Sequence, residues 1–265
     1  MIDPCLREGV IRIALDAAAE ILAIYRSPFD VAQKDDRSPV TAADLAAHRC
    51  IVEGLARLTP TIPVLSEESS AADIVQRRQW SRLWLVDPLD GTREFIKRNG
   101  EFTVNIALVE EGVATYGVVQ APASGVVWHG GNGAGAFRRE EAGEDVPVRV
   151  RTPAVVPLRV AVSRSHRDQR SSDFIDRIGA IEPVGMGSSL KFCLLAEGGL
   201  DIYPRFGPTS EWDTAAAQAV LEGAGGGLYG LDGRPFRYNQ RATLLNGGFV
   251  AVGDASLPWQ DWAAT

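Results

Sequence analysis

Two aspartates, Asp87 and Asp90, stand three positions apart in residues 84–92, which read Trp-Leu-Val-Asp-Pro-Leu-Asp-Gly-Thr. Residues 83–86 are apolar, which predicts a buried strand that ends at Asp87, and Pro88 predicts a turn. Two carboxylates at such a place repel each other and raise each other's pKa unless a divalent cation lies between them. Ligation by oxygen atoms alone favours hard ions, Mg2+ first and Mn2+ or Ca2+ next.

The two residues after Asp90 are suited to hold an anion beside such a cation. Gly91 permits a tight bend, and Thr92 is expected to be the N-cap of a helical segment over residues 93–97. The free amide groups of that segment would point at whatever the carboxylates bind. The alternative is a simple turn, because Asp, Pro and Gly are the usual turn residues.

Further acidic residues are expected at the ends of other elements. Glu67 and Glu68 follow residues 62–66, which read as a short strand, and Asp213 precedes a helix predicted over residues 214–222. Carboxylates at three separate element ends are what a two-metal phosphatase needs. Taken singly, each is also typical of a helix cap or a solvated carboxylate.

Composition limits the class of protein. The chain has 265 residues, 45% hydrophobic and 23% charged, which is typical of a soluble globular protein. Its net charge of -7 argues against a nucleic-acid polymer as the main partner but allows a small anionic ligand. We expect no membrane span and no signal peptide. Three widely spaced cysteines fit neither a disulfide framework nor a zinc site, and a reducing cytoplasm is the simplest location.

The remaining patterns position these residues on elements. An amphipathic helix is predicted over residues 10–25, and a second one, capped by Thr41, runs to about Leu58 with Asp44 in its first turn and Leu45 on its apolar side. Residues 71–81 are expected to form a charged surface insertion. Four strands joined by hairpins are predicted over residues 102–137. After residue 157 strands alternate with helices, which indicates a parallel or mixed sheet and a division into halves 1–157 and 158–265.

Two longer motifs resemble those of the inositol monophosphatase superfamily, a group of Mg2+-dependent, lithium-sensitive phosphatases. The first reads Trp-Leu-Val-Asp-Pro-Leu-Asp-Gly-Thr-Arg-Glu-Phe, and the second, beginning at Trp212, reads Trp-Asp-Thr-Ala-Ala-Ala-Gln-Ala-Val-Leu-Glu-Gly-Ala-Gly-Gly. The resemblance extends over nearly the whole chain. It implies an α/β fold, an αβαβα sandwich with an antiparallel N-terminal sheet and a smaller mixed C-terminal sheet.

The resemblance also implies roles for residues. It places one Mg2+ on Glu67, Asp87 and the main-chain carbonyl of Leu89, and a second on Asp87, Asp90 and Asp213. Thr92, with Asp44 behind it through an ordered water or a third, weaker ion, would orient the attacking water, and Glu67 belongs to the same catalytic set. Mn2+ is an alternative ion, whereas Li+ and Ca2+ are expected to inhibit.

Other segments resemble a branch of the superfamily that acts on nucleoside bisphosphates. They are residues 95–108, 163–166, 187–197 and 203–209. They imply removal of the 3'-phosphate of adenosine 3',5'-bisphosphate, and by extension of its 5'-phosphosulfate analogue, in sulfur assimilation and nucleotide recycling. The expected substrate contacts are Glu67, Leu89, Asp90, Gly91, Thr92, Ser165, His166, Gly187, Ser188, Lys191, Arg205 and Asp213.

Two alternatives stay open at this point. One is an inositol or fructose phosphate phosphatase of the same superfamily, and the other is a regulator that binds phosphonucleotides without turnover. The expected partner is a small phosphorylated nucleotide, and the expected assembly is a monomer or homodimer. A cytoplasmic location is expected, with peripheral attachment to the inner membrane as a variant of it. His48 and His129 are interpreted as structural or surface residues, and Cys193 as a core residue and not a catalytic thiol.

Overall fold

The computed structural model describes residues 2–33, 39–140, 143–162 and 169–264. Its helices are α1 (Pro4–Tyr25), α2 (Ala42–Leu58), α3 (Ala71–Gln76), α4 (Thr92–Ile96), α5 (Gln169–Ile178), α6 (Leu190–Ala196), α7 (Glu211–Gly223) and α8 (Trp259–Ala263). Its first nine strands are β1 (Val31–Gln33), β2 (Pro39–Thr41), β3 (Val64–Ser66), β4 (Arg82–Asp90), β5 (Thr103–Glu110), β6 (Val113–Ala121), β7 (Val126–Gly131), β8 (Gly135–Glu140) and β9 (Val146–Pro147). The others are β10 (Leu158–Val162), β11 (Ile181–Gly185), β12 (Ile202–Arg205), β13 (Thr209–Ser210), β14 (Gly227–Gly230), β15 (Leu245–Asn246) and β16 (Phe249–Val252).

The outer layer consists of α1 and α2, which pack on one face of a seven-stranded sheet. Asp3 caps α1 by accepting hydrogen bonds from the amides of Cys5 and Leu6. Thr41 and Asp44 form a capping box at the start of α2. The predicted start and end of α2 are therefore confirmed, whereas α1 begins well before the predicted residue 10.

The seven-stranded sheet has the order β3-β4-β5-β6-β7-β8-β9. All its neighbouring strands are antiparallel except β3 and β4, which run parallel. Side chains alternate along β4, so that Trp84 and Val86 join the core under α1 and α2 while Leu83 and Leu85 join the core on the other face. Both faces of this sheet are thus buried.

The middle layer is formed by α6 and α7. The helix α7 lies with its backbone directly on the sheet, because a Cβ atom added at Gly117 of β6 would come within 2.1 Å of the carbonyl oxygen of Ala216. Apolar residues of α7 such as Ala215 and Leu221 are fully buried there. The position of α7 is therefore fixed by close contact with β6.

A five-stranded sheet of order β11-β10-β12-β16-β14 covers the other side of the middle layer. Strand β10 is parallel to β11 and β12, and β16 is antiparallel to β12 and β14. Phe174 of α5 and Trp259 of α8 pack on its outer face. The layers thus follow the predicted αβαβα order, with a mixed second sheet.

Three local predictions were wrong. Leu45 is 45% exposed, so it does not belong to the buried side of α2. Residues 71–81 are not wholly a surface insertion, because Arg77 is only 1% exposed and its guanidinium donates to Asn239 Oδ1 and to two backbone carbonyls of the 241–242 segment. Strand β4 does not end at Asp87 but continues to Asp90. The division after residue 157 stays a prediction.

Candidate active site

Asp87 and Asp90 lie at an irregular end of β4. Asp87 pairs with Asn105 of β5 and Asp90 with Thr103, and the register shifts between the two pairs. Pro88 lies in that interval and has no amide hydrogen to donate to the neighbouring strand. Asp87 is 1% exposed, and one of its oxygens, Oδ1, accepts a hydrogen bond of 3.0 Å from the amide of Leu89.

The third aspartate comes from the start of α7. Asp213 forms a capping box with Ser210, whose amide donates to Asp213 Oδ2 at 2.8 Å. One oxygen each of Asp87, Asp90 and Asp213 lies within 4.8 Å of the others. We call these three residues the aspartate cluster. The structure therefore brings together three residues that the sequence analysis assigned to one ion.

Glu67 stands beside this cluster, immediately after β3. Its amide donates to the carbonyl of Val86 at 3.0 Å, which places Glu67 next to the end of β4. Its carboxylate is close enough for its negative charge to raise the pKa of both Asp87 and Asp213. Glu67 thus belongs to the same acidic surroundings, although it is not part of the aspartate cluster as defined by distance.

Burial and mutual repulsion make three ionised carboxylates unfavourable in the aspartate cluster when no cation is bound. Burial, followed by the charges of Glu67, Asp90 and Asp213, raises the pKa of Asp87 well above its usual value. Burial and the charge of Asp90 raise the pKa of Asp213 to about 8. A divalent cation would remove this repulsion, and carboxylate oxygens are the ligands that Mg2+ prefers. The residues present therefore fit a hard metal ion.

Thr92 and Asp44 lie together beside the cluster. The hydroxyl of Thr92 is 3.2 Å from Asp44 Oδ1 and 3.3 Å from the carbonyl oxygen of Leu89, to either of which it can donate. Asp44 is 3% exposed, and its other oxygen accepts hydrogen bonds from the amide and hydroxyl of Thr41. Thr92 was wrongly predicted as the N-cap of α4: Gly91, with φ +91°, is the cap, and Thr92 is the first helical residue.

A cavity of about 170 Å³ opens next to the aspartate cluster. We call it the recognition cavity. Three cationic side chains line it, Arg93 of α4, Lys191 of α6 and Arg205 at the end of β12. The acidic residues of its lining are Asp90, Glu94, Glu101 and Asp213. The structure thus places three basic groups and four acidic groups around one small space.

Lys191 is 6% exposed and well surrounded. Its ammonium group donates to the carbonyl oxygens of Ser188 at 2.7 Å and Met186 at 3.3 Å, and it lies 5.1 Å from the ring centre of Tyr203. Burial lowers the pKa of Lys191 to about 8, although the nearby charge of Asp90 acts in the opposite direction. A further negative charge in the cavity would favour the ammonium form.

Arg205 is partly buried and only partly satisfied. One of its terminal nitrogens, Nη2, is 3.3 Å from the carbonyl oxygen of Pro208. Its Nε atom is buried and has no hydrogen-bond partner within the part of the chain that the structure describes. A buried guanidinium nitrogen without an acceptor is costly, so an anionic ligand in the cavity would relieve it.

Residues 187–189 also line the recognition cavity. Gly187 donates its amide to Glu101 at 2.8 Å, and a Cβ atom there would come within 2.8 Å of Glu94, which explains the glycine. Ser188 has a left-handed backbone with φ +52°. Both Ser188 and Ser189 donate hydrogen bonds to one oxygen of Asp90. Of the expected substrate contacts in this segment, Ser188 thus also contacts a candidate metal ligand.

Two residues of this region were missed by the sequence analysis. Thr103 and Asn105 are buried on β5, and Asn105 donates to the hydroxyl of Ser189 at 2.9 Å. A signal for them exists in the sequence, because they are polar residues at alternate positions of an otherwise apolar strand.

The other expected residues have mixed outcomes. Ser165 and His166 lie outside the described residues. His129 is fully buried and Cys193 is 1% exposed, so both are core residues as interpreted. Within the described ranges no helix has the length and the apolar character to cross a lipid bilayer.

Comparison with known proteins defines the class. The profile of the inositol monophosphatase family matches residues 5–257. The chain therefore belongs to the inositol monophosphatase family, and it is a phosphatase by that membership. This confirms the resemblance carried by the two motifs.

Particular relatives are more specific. The chain is 50% identical over 244 residues to the 3'(2'),5'-bisphosphate nucleotidase CysQ of Salmonella typhimurium, covering 91% of this chain and 97% of the relative. It is 48% identical to the protein of the same name from Escherichia coli K12, with the same shares covered. The crystal structure of CysQ from Bacteroides thetaiotaomicron has a TM-score of 0.80 and 39% identity, covering 93% of this chain and 96% of that one.

Proposed function

We propose that this chain hydrolyses the 3'-phosphate of adenosine 3',5'-bisphosphate to yield AMP and phosphate, with the 5'-phosphosulfate analogue as a second substrate. The names of the CysQ relatives support the nucleotide. The observation that carries the proposal is the pairing, around one cavity, of Asp90 and Asp213 with Lys191 and Arg205. A nucleoside bisphosphate carries two phosphate groups. The acidic residues would hold ions at one of them, and the basic residues would bind the other.

The aspartate cluster, Glu67 and the carbonyl of Leu89 would hold two Mg2+ ions. When bound, such ions neutralise the oxygens of the phosphoryl group and acidify water. Hydrolysis of a phosphate monoester is among the slowest uncatalysed reactions, so this neutralisation is its first requirement. A third, weaker ion near Asp44, replacement of Mg2+ by Mn2+, and inhibition by Li+ and Ca2+ belong to the same proposal.

Thr92 and Asp44 would orient the attacking water. Since the Thr92 hydroxyl donates its hydrogen bond to Asp44 or to the carbonyl of Leu89, its oxygen lone pairs are free to accept a hydrogen bond from a water molecule. The amides of Gly91 and Thr92, at the start of α4, would bind the phosphate that is cleaved. In this mechanism the protein orients water and phosphate, and no side chain becomes covalently attached.

Lys191 and Arg205 would bind the phosphate that stays on the product. A hydrogen bond between charged groups is worth about 1.5–3 kcal/mol, so the loss of one should lower substrate use roughly ten- to a hundredfold. An inositol monophosphate has no second phosphate and would lose little. The ratio of the two activities is therefore the quantity to measure.

The test is a phosphate-release assay on Lys191→Ala and Arg205→Ala. We expect kcat/KM for adenosine 3',5'-bisphosphate to fall at least about tenfold while kcat/KM for inositol 1-phosphate changes less than about threefold. Arg57→Ala is the control, since Arg57 is 74% exposed on α2. Equal losses on both substrates would sink the nucleotide assignment and favour the inositol or fructose phosphate alternative. Binding without turnover of any substrate would favour the regulator.

The metal ions, the assembly and the cellular location need separate measurements. Activity without added metal, and with Mg2+, Mn2+, Li+ or Ca2+, tests the ion assignments, and insensitivity to millimolar Li+ would contradict that part. A cytoplasmic monomer or homodimer completes the proposal. Light scattering after gel filtration measures the assembly, and cell fractionation measures the location.

A further inference from the structure

One oxygen of Asp90 receives an unusual number of hydrogen bonds. Asp90 Oδ2 accepts from the Ser188 hydroxyl at 2.6 Å, from the Ser189 amide at 2.7 Å and from the Ser189 hydroxyl at 2.7 Å. The Ser188 hydroxyl and the Ser189 amide suffice to occupy the lone pairs of this oxygen, and the Ser189 hydroxyl is a third donor that can also turn to the carbonyl of Asp213. The other oxygen, Oδ1, is therefore the one left to meet a cation.

The hydroxyl protons around Asp90 form two converging chains. Asn105 donates to the Ser189 hydroxyl, which in turn donates to Asp90 or, at 3.0 Å, to the backbone carbonyl of Asp213. The Thr103 hydroxyl lies 2.7 Å from that of Ser188, whose own proton is used on Asp90. The Thr103 hydroxyl also lies 3.1 Å from Asn105 Oδ1, to which it can donate, so its single proton serves either Asn105 or Ser188.

Both chains begin on the same face of β5. Thr103 and Asn105 are two residues apart on that strand, 0% and 1% exposed, and they pair across the sheet with Asp90 and Asp87. Ser189 is 2% exposed. A buried network of this kind has little freedom to rearrange, so it fixes the rotamer of the carboxylate it contacts.

We propose that Ser189, held by Asn105, is a positioning residue that keeps Asp90 Oδ1 directed at a divalent cation shared with Asp87 and Asp213. The proposal rests on the proposed metal dependence and extends it to residues that do not themselves contact the ion. Outer hydrogen-bonding partners of metal ligands typically change metal affinity or activity ten- to a hundredfold when they are removed. The expected effect of losing the Ser189 hydroxyl is of that size.

The experiment measures Mn2+ binding to the full-length protein without substrate, by the electron paramagnetic resonance signal of free Mn2+. Ser189→Ala and Asn105→Ala should each weaken the affinity of one bound Mn2+ by about ten- to a hundredfold. In the phosphate-release assay, the Mg2+ concentration for half-maximal rate should rise by a similar factor, and kcat at saturating Mg2+ should recover. A merely structural role would lower the melting temperature without this shift in metal dependence.

The control is Thr115→Ala on β6, which removes a hydroxyl that donates at 2.8 Å to Glu110, at the opposite end of β5 from Thr103. It should leave Mn2+ affinity unchanged, while Asp90→Asn should weaken it at least as much as Ser189→Ala. Wild-type Mn2+ affinity in a folded Ser189→Ala variant, with weakened binding in Asp90→Asn, would overturn the inference and leave the proposed function intact. Normal Mn2+ binding by wild type with no nucleotide hydrolysis would defeat the proposed substrate only.

Discussion

Two groups of acidic residues in this molecule have opposite neighbours, other carboxylates in one case and basic groups in the other. In the aspartate cluster, each of the three carboxylates has the other two as near neighbours. At the other site, which we call the arginine network, Arg139 of β8 donates two hydrogen bonds to Glu8 of α1, at 2.7 and 2.9 Å, and one of 2.6 Å to Asp145. The buried His129 ring lies 2.8 Å from the same Asp145 oxygen.

The charge of the neighbouring groups decides in which direction the pKa of each carboxyl group is shifted. Burial raises the pKa of Asp87 and of Asp213, and the surrounding carboxylates add to it. Burial acts in the same direction on Asp145, but the hydrogen bonds from Arg139 and His129 outweigh it and lower the pKa of Asp145 to about 2. A charge balanced within the protein stabilises the fold, whereas an unbalanced one indicates a ligand from outside.

The largest effect should come from removing one charge of the aspartate cluster. Asp87→Asn should lower kcat by at least about a thousandfold, because an ion at this place supplies several kcal/mol of transition-state stabilisation. Its melting temperature without metal should not fall, since the change removes repulsion. Phosphate release and thermal unfolding measure the two quantities. Near-normal activity of Asp87→Asn at saturating Mg2+ would show that the aspartate cluster does not serve to bind a catalytic ion.

A change in the arginine network should do the reverse. Arg139→Ala should lower the free energy of unfolding by about 2 kcal/mol, because it leaves Asp145 without its main donor, and it should leave kcat/KM within about twofold of wild type. Urea unfolding gives the stability. Arg138→Ala is the matched control on the same strand. Arg138 pairs with Glu140, which is 69% exposed, and with Glu197 at 3.5 Å, and because Arg138 itself is 33% exposed against 15% for Arg139, its loss should cost less. Equal costs would remove the distinction between the two arginines.

The smallest effect concerns pH. The pKa of Asp145 is about 2 in the folded protein against a usual 3.8, so the stability it contributes is complete above pH 4 and is lost as pH falls from about 4 towards 2. The gap in unfolding free energy between wild type and Asp145→Asn, about 2 kcal/mol at neutral pH, should narrow over that window. Urea unfolding from pH 6 down to pH 3 measures it. A constant gap would show that Asp145 does not titrate this way.

Sequence patterns predicted individual elements because each has its own periodicity, whereas the layered αβαβα order came from the resemblance to the family. Residues 102–137 alternate and carry turn residues at intervals, and four antiparallel strands result. Leu45 was misplaced because it lies at the edge of the apolar side of α2, where tertiary contacts decide burial. Arg77 looked like a surface residue because the carbonyl groups that satisfy it belong to residues 241 and 242, far along the chain.

The candidate site was predictable to the extent that its motifs are local. Asp87 and Asp90 stand in one motif and Asp213 in another, and their chemistry indicated a cation. The N-cap prediction for Thr92 was wrong because a left-handed Gly91 takes the cap position. The contacts of Ser188 and Ser189 with Asp90 join segments almost a hundred residues apart, and no local pattern specifies such a pairing.

The close contact between the backbone of α7 and Gly117 of β6 affects when the three aspartates come together during folding. Asp90 and Asp213 are more than a hundred residues apart in the chain, and they meet only when α7 docks on the sheet. Hairpins β4 to β6 can form from local contacts, whereas this docking must close a long loop. The full set of carboxylates is therefore assembled late, and by apolar packing, so that the nascent chain carries Asp87 and Asp90 for some time without the third member.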